Sequence, residues 1–192
     1  MSTIEEIGKN IERLRAEGVK VEGSANSEQL MSMVELIPST IFSIAEIGFK
    51  AGKSSYYFLS ASKNTSVTSF DICNHDYVNL FKGLIDAAFP KRHTLIKGNS
   101  LHTVPNYKGV FDLIFIDGAH DFETALQDIR NMKAHAHDGT VLIIDDINPE
   151  LKHGIGPTGA MKEAIEHGII SKGLVHKCSL GKKWYIGKYL QL

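Results

Sequence analysis

Residues 111–146 read FDLIFIDGAHDFETALQDIRNMKAHAHDGTVLIIDD. Two runs in it, FDLIFID and TVLIIDD, are apolar on both faces, as strands inside a helix-covered parallel sheet must be. The segment 120–134 between them is patterned as a helix. Strand, helix, strand is the repeating unit of an α/β fold. Both runs end in aspartate, Asp117 closing the first and Asp145-Asp146 the second. In an open parallel sheet, ligands sit beyond the carboxyl ends of the strands where strand order reverses, so these terminating residues are the first candidates for function.

The same pattern continues outward. IFSIAEI (41–47), VTSFDI (67–72) and HTLIKG (93–98) are further β-rich runs, and helical patterns fill 53–62, 75–89 and 158–168. At the far end LVHKCSL (174–180), Gly181-Lys182-Lys183 and WYIGKYL (184–190) read as an antiparallel hairpin. Before the first strand, Ile4, Ile7, Ile11 and Leu14 recur at helical spacing, and a second amphipathic stretch runs from Ser27 to Leu36. That first apolar stripe either covers the active site or pairs with a second subunit in a homodimer. Asn148 to Gly159 is expected to be irregular, since Pro149, Gly154, Gly156 and Pro157 interrupt regular elements. These readings predict one domain over 1–192, with cap helices in 1–38 and a doubly wound core in 39–192.

Composition narrows the partners. With 192 residues, 43% hydrophobic and 22% charged, the chain is long and apolar enough to bury a sizeable core. Its 21 Lys and Arg nearly cancel 22 Asp and Glu, so no bulk charge draws it to nucleic acid or a membrane surface, and neither is expected as a partner. Cys73 and Cys178 fall in no metal or redox spacing, and the first residues mix both charge signs without an apolar run. Both features point to the cytoplasm.

The turn after the first run is Glu46-Ile47-Gly48-Phe49-Lys50-Ala51-Gly52-Lys53-Ser54, where Gly48 permits close backbone approach and Gly52 opens the next helix. A phosphate-binding Walker loop needs one more residue between its glycines, and a dinucleotide fingerprint needs glycine where Lys50 stands. The E-x-G-x-x-x-G-x-S spacing instead resembles the class I S-adenosylmethionine-dependent methyltransferases, and the similarity runs from about residue 25 to the end. It implies a Rossmann-like, mostly parallel seven-stranded sheet ending in an antiparallel hairpin, with S-adenosylmethionine as cofactor. By this resemblance Glu46, Gly48, Gly52, Ser54, Asp71, Asn99, Ser100 and Asp117 contact the cofactor. Glu46 falls near its methionine end, Asp71 at the ribose hydroxyls and Gly98-Asn99-Ser100 at the adenine, where Asn99 replaces the family's aspartate. Asp71 alternatively caps the following helix.

The fourth and fifth runs are similar to the catechol-type and macrocin-type O-methyltransferases. That similarity makes Asp117, Asp145 and Asp146 ligands of a divalent cation, with Mg²⁺ the best match to three carboxylates meeting at one sheet edge. The alternative is that Asp145 and Asp146 only close turns. His120 is the candidate base for a small-molecule hydroxyl, because an imidazole with pKa about 6.5 accepts protons at neutral pH; His153 is its rival. His135 and His137 form an H-x-H pair placed at a helix end. The implied activity is O-methylation. Its rivals are a phosphate-binding NTPase, suggested by Gly52-Lys53-Ser54, and a scaffold that binds the cofactor without turnover.

Overall fold

The computed structural model describes residues 2–22, 25–35 and 40–190. The apolar runs form β1 (Ser43–Ile47), β2 (Ser66–Asp71), β3 (His93–Lys97), β4 (Phe111–Ile116) and β5 (Ala136–Ile144), and the terminal hairpin gives β6 (Leu174–Lys177) and β7 (Lys183–Gly187). They make one sheet in the order β3-β2-β1-β4-β5-β7-β6. The first five strands are parallel, and β7 runs antiparallel to both β5 and β6. This is the expected doubly wound sheet with its antiparallel end. Strand order reverses between β1 and β4, so the crevice for a ligand opens there.

Among the described residues seven α-helices cover the two faces: α1 (Thr3–Ala16), α2 (Ser27–Glu35), α3 (Lys53–Ala61), α4 (Tyr77–Ala88), α5 (Ser100–Asn106), α6 (Phe122–Met132) and α7 (Ile155–Glu166). One core joins Ile7, Leu30, Phe58 and Phe81 of α1 to α4 with Phe115 and Trp184 of the sheet. The other joins Val104, Ile129 and Ala160 of α5 to α7 with Phe70, Ile114 and Tyr185. The α1 stripe is therefore turned inward, with Ile7 and Ile11 buried and Ile4 and Leu14 packed against the first core. Of the aromatic and methionine positions near the first strand, Met33 and Phe58 are core and Met31 is exposed. No described helix is long and apolar enough to cross a membrane.

Four expectations need correction or fall outside the described residues. The stretch to Gly159 is not irregular throughout: α7 starts at Ile155 and contains Gly156, Pro157 and Gly159. Pro157 is the third helical residue, where the amide it lacks would have no intrahelical acceptor. Gly156 and Gly159 are close-packing residues, since a Cβ on Gly156 would lie 2.2 Å from the His120 carbonyl oxygen and one on Gly159 would meet the Phe122 ring at 3.1 Å. Helix α5 carries no periodic signal because it is seven residues long with Pro105 inside it. Helix α6 begins at Phe122, not at His120, because Asp121 is the N-cap and accepts from Thr124 N at 2.8 Å. The end of the second amphipathic stretch at Leu36 and the 38/39 boundary lie outside the described residues.

Candidate active site

The turn after β1 is held from three directions. Gly48, at φ +96, packs so tightly on the end of β4 that a Cβ would lie 2.1 Å from the Asp117 carbonyl oxygen. Asp71, ending β2, accepts from Phe49 N at 2.8 Å and Lys50 N at 2.9 Å on Oδ2, and from Cys73 N at 2.7 Å on Oδ1. Lys50 and Cys73 take left-handed conformations that few side-chain-bearing residues adopt, φ 51 and 53. Three of about four carboxylate acceptor sites are thus occupied by backbone amides of the neighbouring turns. Its main structural duty is the turn, not a helix cap.

Beside this turn lies a cleft of about 320 Å³ with Gly48, Asp71, Asn99, Ser100 and Gly118 on its walls and Ile47, Phe70 and Val78 as apolar surface. That mixture of an apolar slot and a few polar acceptors suits a nucleoside. Glu46 does not line it. Its fully buried carboxylate accepts hydroxyl hydrogen bonds from Ser54, Ser55 and Ser69, and burial raises its pKa to about 7 against those three donors. Gly52 opens α3 as expected, at φ 69, with the Phe49 ring against it. Lys53 Nζ reaches the Ala25 carbonyl at 3.4 Å and Ser54 is engaged with Glu46, so neither is presented as a phosphate-binding loop would require.

A second cavity of about 510 Å³ shares Glu22, Lys50, Gly118 and Ala119 with the first and is lined also by Asp117, His120, Asp145, Asp146 and His153. Asp117, His120 and Asp146 each bring one ligand atom within 4.8 Å of the others. Asp145 is not in that group: Gln29 Nε2 donates to its Oδ1 at 2.6 Å, and Asp146 N does so at 2.7 Å. Burial, with Asp117 and Asp146 close by, holds the Asp145 pKa well above the usual carboxylate range. Burial also raises Asp117, against the opposing pull of Lys50. Asp146, at φ 55, behaves oppositely: burial would raise its pKa, but a His120 hydrogen bond and the Lys182 ammonium hold it at about 2.

Sequence motifs alone leave the carboxylates without basic partners, whereas the fold supplies them from other segments. Lys50 Nζ lies 3.3 Å from Asp117 Oδ1, and Lys182, from the hairpin turn, lies 3.2 Å from Asp146 Oδ1. His120 Nε2 is 3.1 Å from Asp146 Oδ2 and His153 Nε2 3.5 Å from Asp146 Oδ1, with ring centroids 5.7 Å apart. Both histidines are half-exposed. Gln29 and Lys182 gave no local signal, because each enters the site only through tertiary packing. The H-x-H pair divides: His135 directs both ring nitrogens at carbonyls of Gly109 and Val104, while His137 meets Asp112 at 3.1 Å.

Comparison with known proteins agrees with this geometry. The family profile described as "Methyltransferase domain" matches residues 45–147, which span the turn, all of the cleft lining except Glu22, and the acidic strand ends. No curated protein sequence matches the chain. Among solved structures, a Klebsiella pneumoniae protein assigned as an O-methyltransferase superposes with a TM-score of 0.75 at 18% identity, covering 100% of this chain and 91% of its own. The Bacillus cereus O-methyltransferase in complex with SAH gives 0.74 at 20% identity, covering 99% and 91%. Cofactor-bound Rv0187 from MTB gives 0.77 at 18%, covering 97% and 89%. At such identities the structural likeness is one of fold, while the profile match carries the relationship: the chain belongs to the class I S-adenosylmethionine-dependent methyltransferase family.

Proposed function

We propose that the protein methylates a hydroxyl of a small molecule, with S-adenosylmethionine in the 320 Å³ cleft and the acceptor in the 510 Å³ cavity beside it. The observation that carries this reading is the meeting of Asp117, His120 and Asp146 in the wall of the second cavity, next to Gly118 and Ala119, which line both cavities. S-Adenosylmethionine supplies, when bound, an electrophilic methyl group on a sulfonium. Asp71 takes one ribose hydroxyl, Ile47, Phe70 and Val78 face the base, and Asn99 and Ser100 stand at its edge. Of the remaining assignments, Gly48 offers backbone approach, whereas Glu46, Gly52 and Ser54 support the turn from behind.

Asp146 accepts the Nε2–H of His120, which fixes the tautomer and leaves Nδ1 as the basic nitrogen. Methylation of the acceptor oxygen would require loss of its hydroxyl proton, and that imidazole would take it. The carboxylate oxygens of Asp117 and Asp146 would suit a hard cation such as Mg²⁺, whereas ligation by the His120 nitrogen would suit a softer one such as Zn²⁺; either would lower the pKa of a bound hydroxyl. His120 cannot use one nitrogen as both ligand and base. If it ligates, His153 takes the proton.

A second, metal-free reading is favoured by the Lys50–Asp117 and Lys182–Asp146 ion pairs, which already place positive charge where the cation would sit. Calorimetric titration with S-adenosylhomocysteine, followed by turnover of a catechol with and without EDTA, separates these cases. Binding with turnover that EDTA abolishes and Mg²⁺ restores supports the metal-assisted route; turnover intact in EDTA supports the lysine pairs. Binding without turnover of any hydroxyl acceptor leaves a scaffold, and absence of binding removes the reading altogether.

A further inference from the structure

Among the described residues, the charged groups in the wall of the 510 Å³ cavity are engaged with one another or with neighbours, with a single exception. Lys50 pairs with Asp117, and Asp146 meets Lys182, His120 and His153. Asp145 accepts from Gln29, and Glu22 stands 3.7 Å from Lys20 and 3.6 Å from His75. The exception is Arg15, in the last turn of α1. Its Nη2 donates to the Val21 carbonyl at 3.4 Å, and no described carboxylate pairs with it. A guanidinium has five N–H donors, so most of the fork is uncommitted. A cation at a helix C-terminus complements the dipole, but Arg13 in the same turn already supplies that charge and pairs with Glu17 at 3.9 Å. Arg15 differs in lining the cavity. Lys53 of α3 adds to the positive field there: its Nζ meets the carbonyl of Ala25, a wall residue, at 3.4 Å, and it too has no described carboxylate partner.

We propose that the methyl acceptor carries a carboxylate besides its hydroxyl, and that Arg15 is the specificity-determining residue that binds it. This rests on the reading that the acceptor occupies the 510 Å³ cavity with its hydroxyl at His120. A planar guanidinium holds a carboxylate through two parallel N–H···O bonds, which fixes the orientation of the rest of the molecule. An uncharged acceptor would leave Arg15 uncompensated. A dianionic phosphate would bring its second negative charge against Glu22, Asp117 and Asp146 in the same wall, whereas a monoanion matches the guanidinium with less repulsion. Lys20, its side chain 87% exposed, contributes attraction at long range and no fixed contact. Arg15 does not line the 320 Å³ cleft, while Lys50 does, so the carboxylate of the cofactor has a nearer cation.

The test titrates the protein, saturated with S-adenosylhomocysteine, with protocatechuate and with its carboxamide, which share a catechol and differ in charge. Calorimetry should show the wild type binding the acid about tenfold more tightly, the low end for a hydrogen bond to a charged group because Arg15 is exposed. Arg15→Gln should bring the two affinities within about twofold by weakening the acid alone. Arg15→Lys, which keeps the charge and loses the fork, should fall between. S-Adenosylhomocysteine affinity should not move in either variant, and the wild type should methylate the acid with a higher kcat/KM than the amide. A merely structural Arg15 would lower the melting temperature of the variants and leave the acid-to-amide ratio at its wild-type value, which overturns the proposal. So do equal affinities in the wild type, binding of neither compound, tighter binding of phenylphosphonate than of benzoate, and methylation of the amide alone. Loss of S-adenosylhomocysteine affinity in Arg15→Gln overturns it as well, by making Arg15 a cofactor contact. Failure of the wild type to bind S-adenosylhomocysteine removes the underlying reading too; the other failures, with that binding intact, remove this proposal only.

Discussion

Asp146 is the residue on which the two candidate bases converge, since His120 and His153 both reach its carboxylate. Only the first is within ordinary hydrogen-bond distance, at 3.1 Å against 3.5 Å, so His120 has the better-fixed tautomer. Replacing His120 by Ala should lower the methyl-transfer rate by about 10²–10⁴-fold, the usual contribution of a positioned base, while S-adenosylhomocysteine affinity stays near wild type. The rate should also lose its rising acid limb in a stopped-flow pH series, because a protonated imidazole cannot accept. An unchanged profile would transfer the role to His153. Asp71 makes a contrasting case at the same scale. Asp71→Ala removes three backbone hydrogen bonds as well as the proposed ribose acceptor, so calorimetry should show affinity for S-adenosylhomocysteine falling by at least about 1.5–3 kcal/mol. The melting temperature of the ligand-free protein should fall with it.

At the scale of elements, the site is built by helices packing onto the ends of strands. The start of α7 seats on the loop carrying His120, with Gly156 so close to the His120 carbonyl oxygen that any Cβ, at 2.2 Å, must displace backbone. Gly156→Ala should therefore cost about 1–3 kcal/mol in urea denaturation, the range for overpacking. It should lower turnover more than cofactor affinity, because the displaced loop bears His120, the proposed base. Equal loss of both would mean that α7 supports the whole crevice. The same contact explains why α7 was illegible at its start: glycine and proline are loop signals locally, and only the neighbouring helix reveals them as a close contact. The strands were legible because each is a short apolar run with polar punctuation, and an isolated periodic signal survives without tertiary context. Helix α5 was not, since seven residues hold too few turns for a pattern.

Over the whole molecule, the legible part of the site is the part attached to strand ends: Gly48, Asp71, Asn99, Ser100, Asp117, Asp145 and Asp146 all follow apolar runs. The illegible part arrives from distant segments, as Gln29 does from α2 and Lys182 from the hairpin. Burial is also a property of the complete fold, and it governs how stability responds to pH. Glu46, beneath the cofactor turn, has its pKa raised by burial from 4.5 to about 7. The folded state thus binds its proton more tightly than the unfolded chain, so the Glu46 contribution is fully present below pH 4.5 and is lost as pH rises through about 7. The magnitude is about 3 kcal/mol at 1.36 kcal/mol per unit. His93, tied to the same cluster through Ser69 at 2.9 Å, acts in the opposite sense. Burial lowers its pKa from 6.5 to about 4, so its contribution is present above 6.5 and is lost on acidification through about 4. The two slopes oppose each other where their windows overlap, which hides both in the wild type. Glu46→Gln keeps the size and the acceptor oxygen while removing the titration, so the Glu46 slope drops out and the slopes of His93 and the other buried groups remain. Urea denaturation at a series of pH values should show the variant gaining about 3 kcal/mol relative to wild type between pH 4.5 and 7, most of it above pH 5.5. Parallel stability curves for the two proteins would mean that the three serine hydroxyls already hold Glu46 ionised in the folded state.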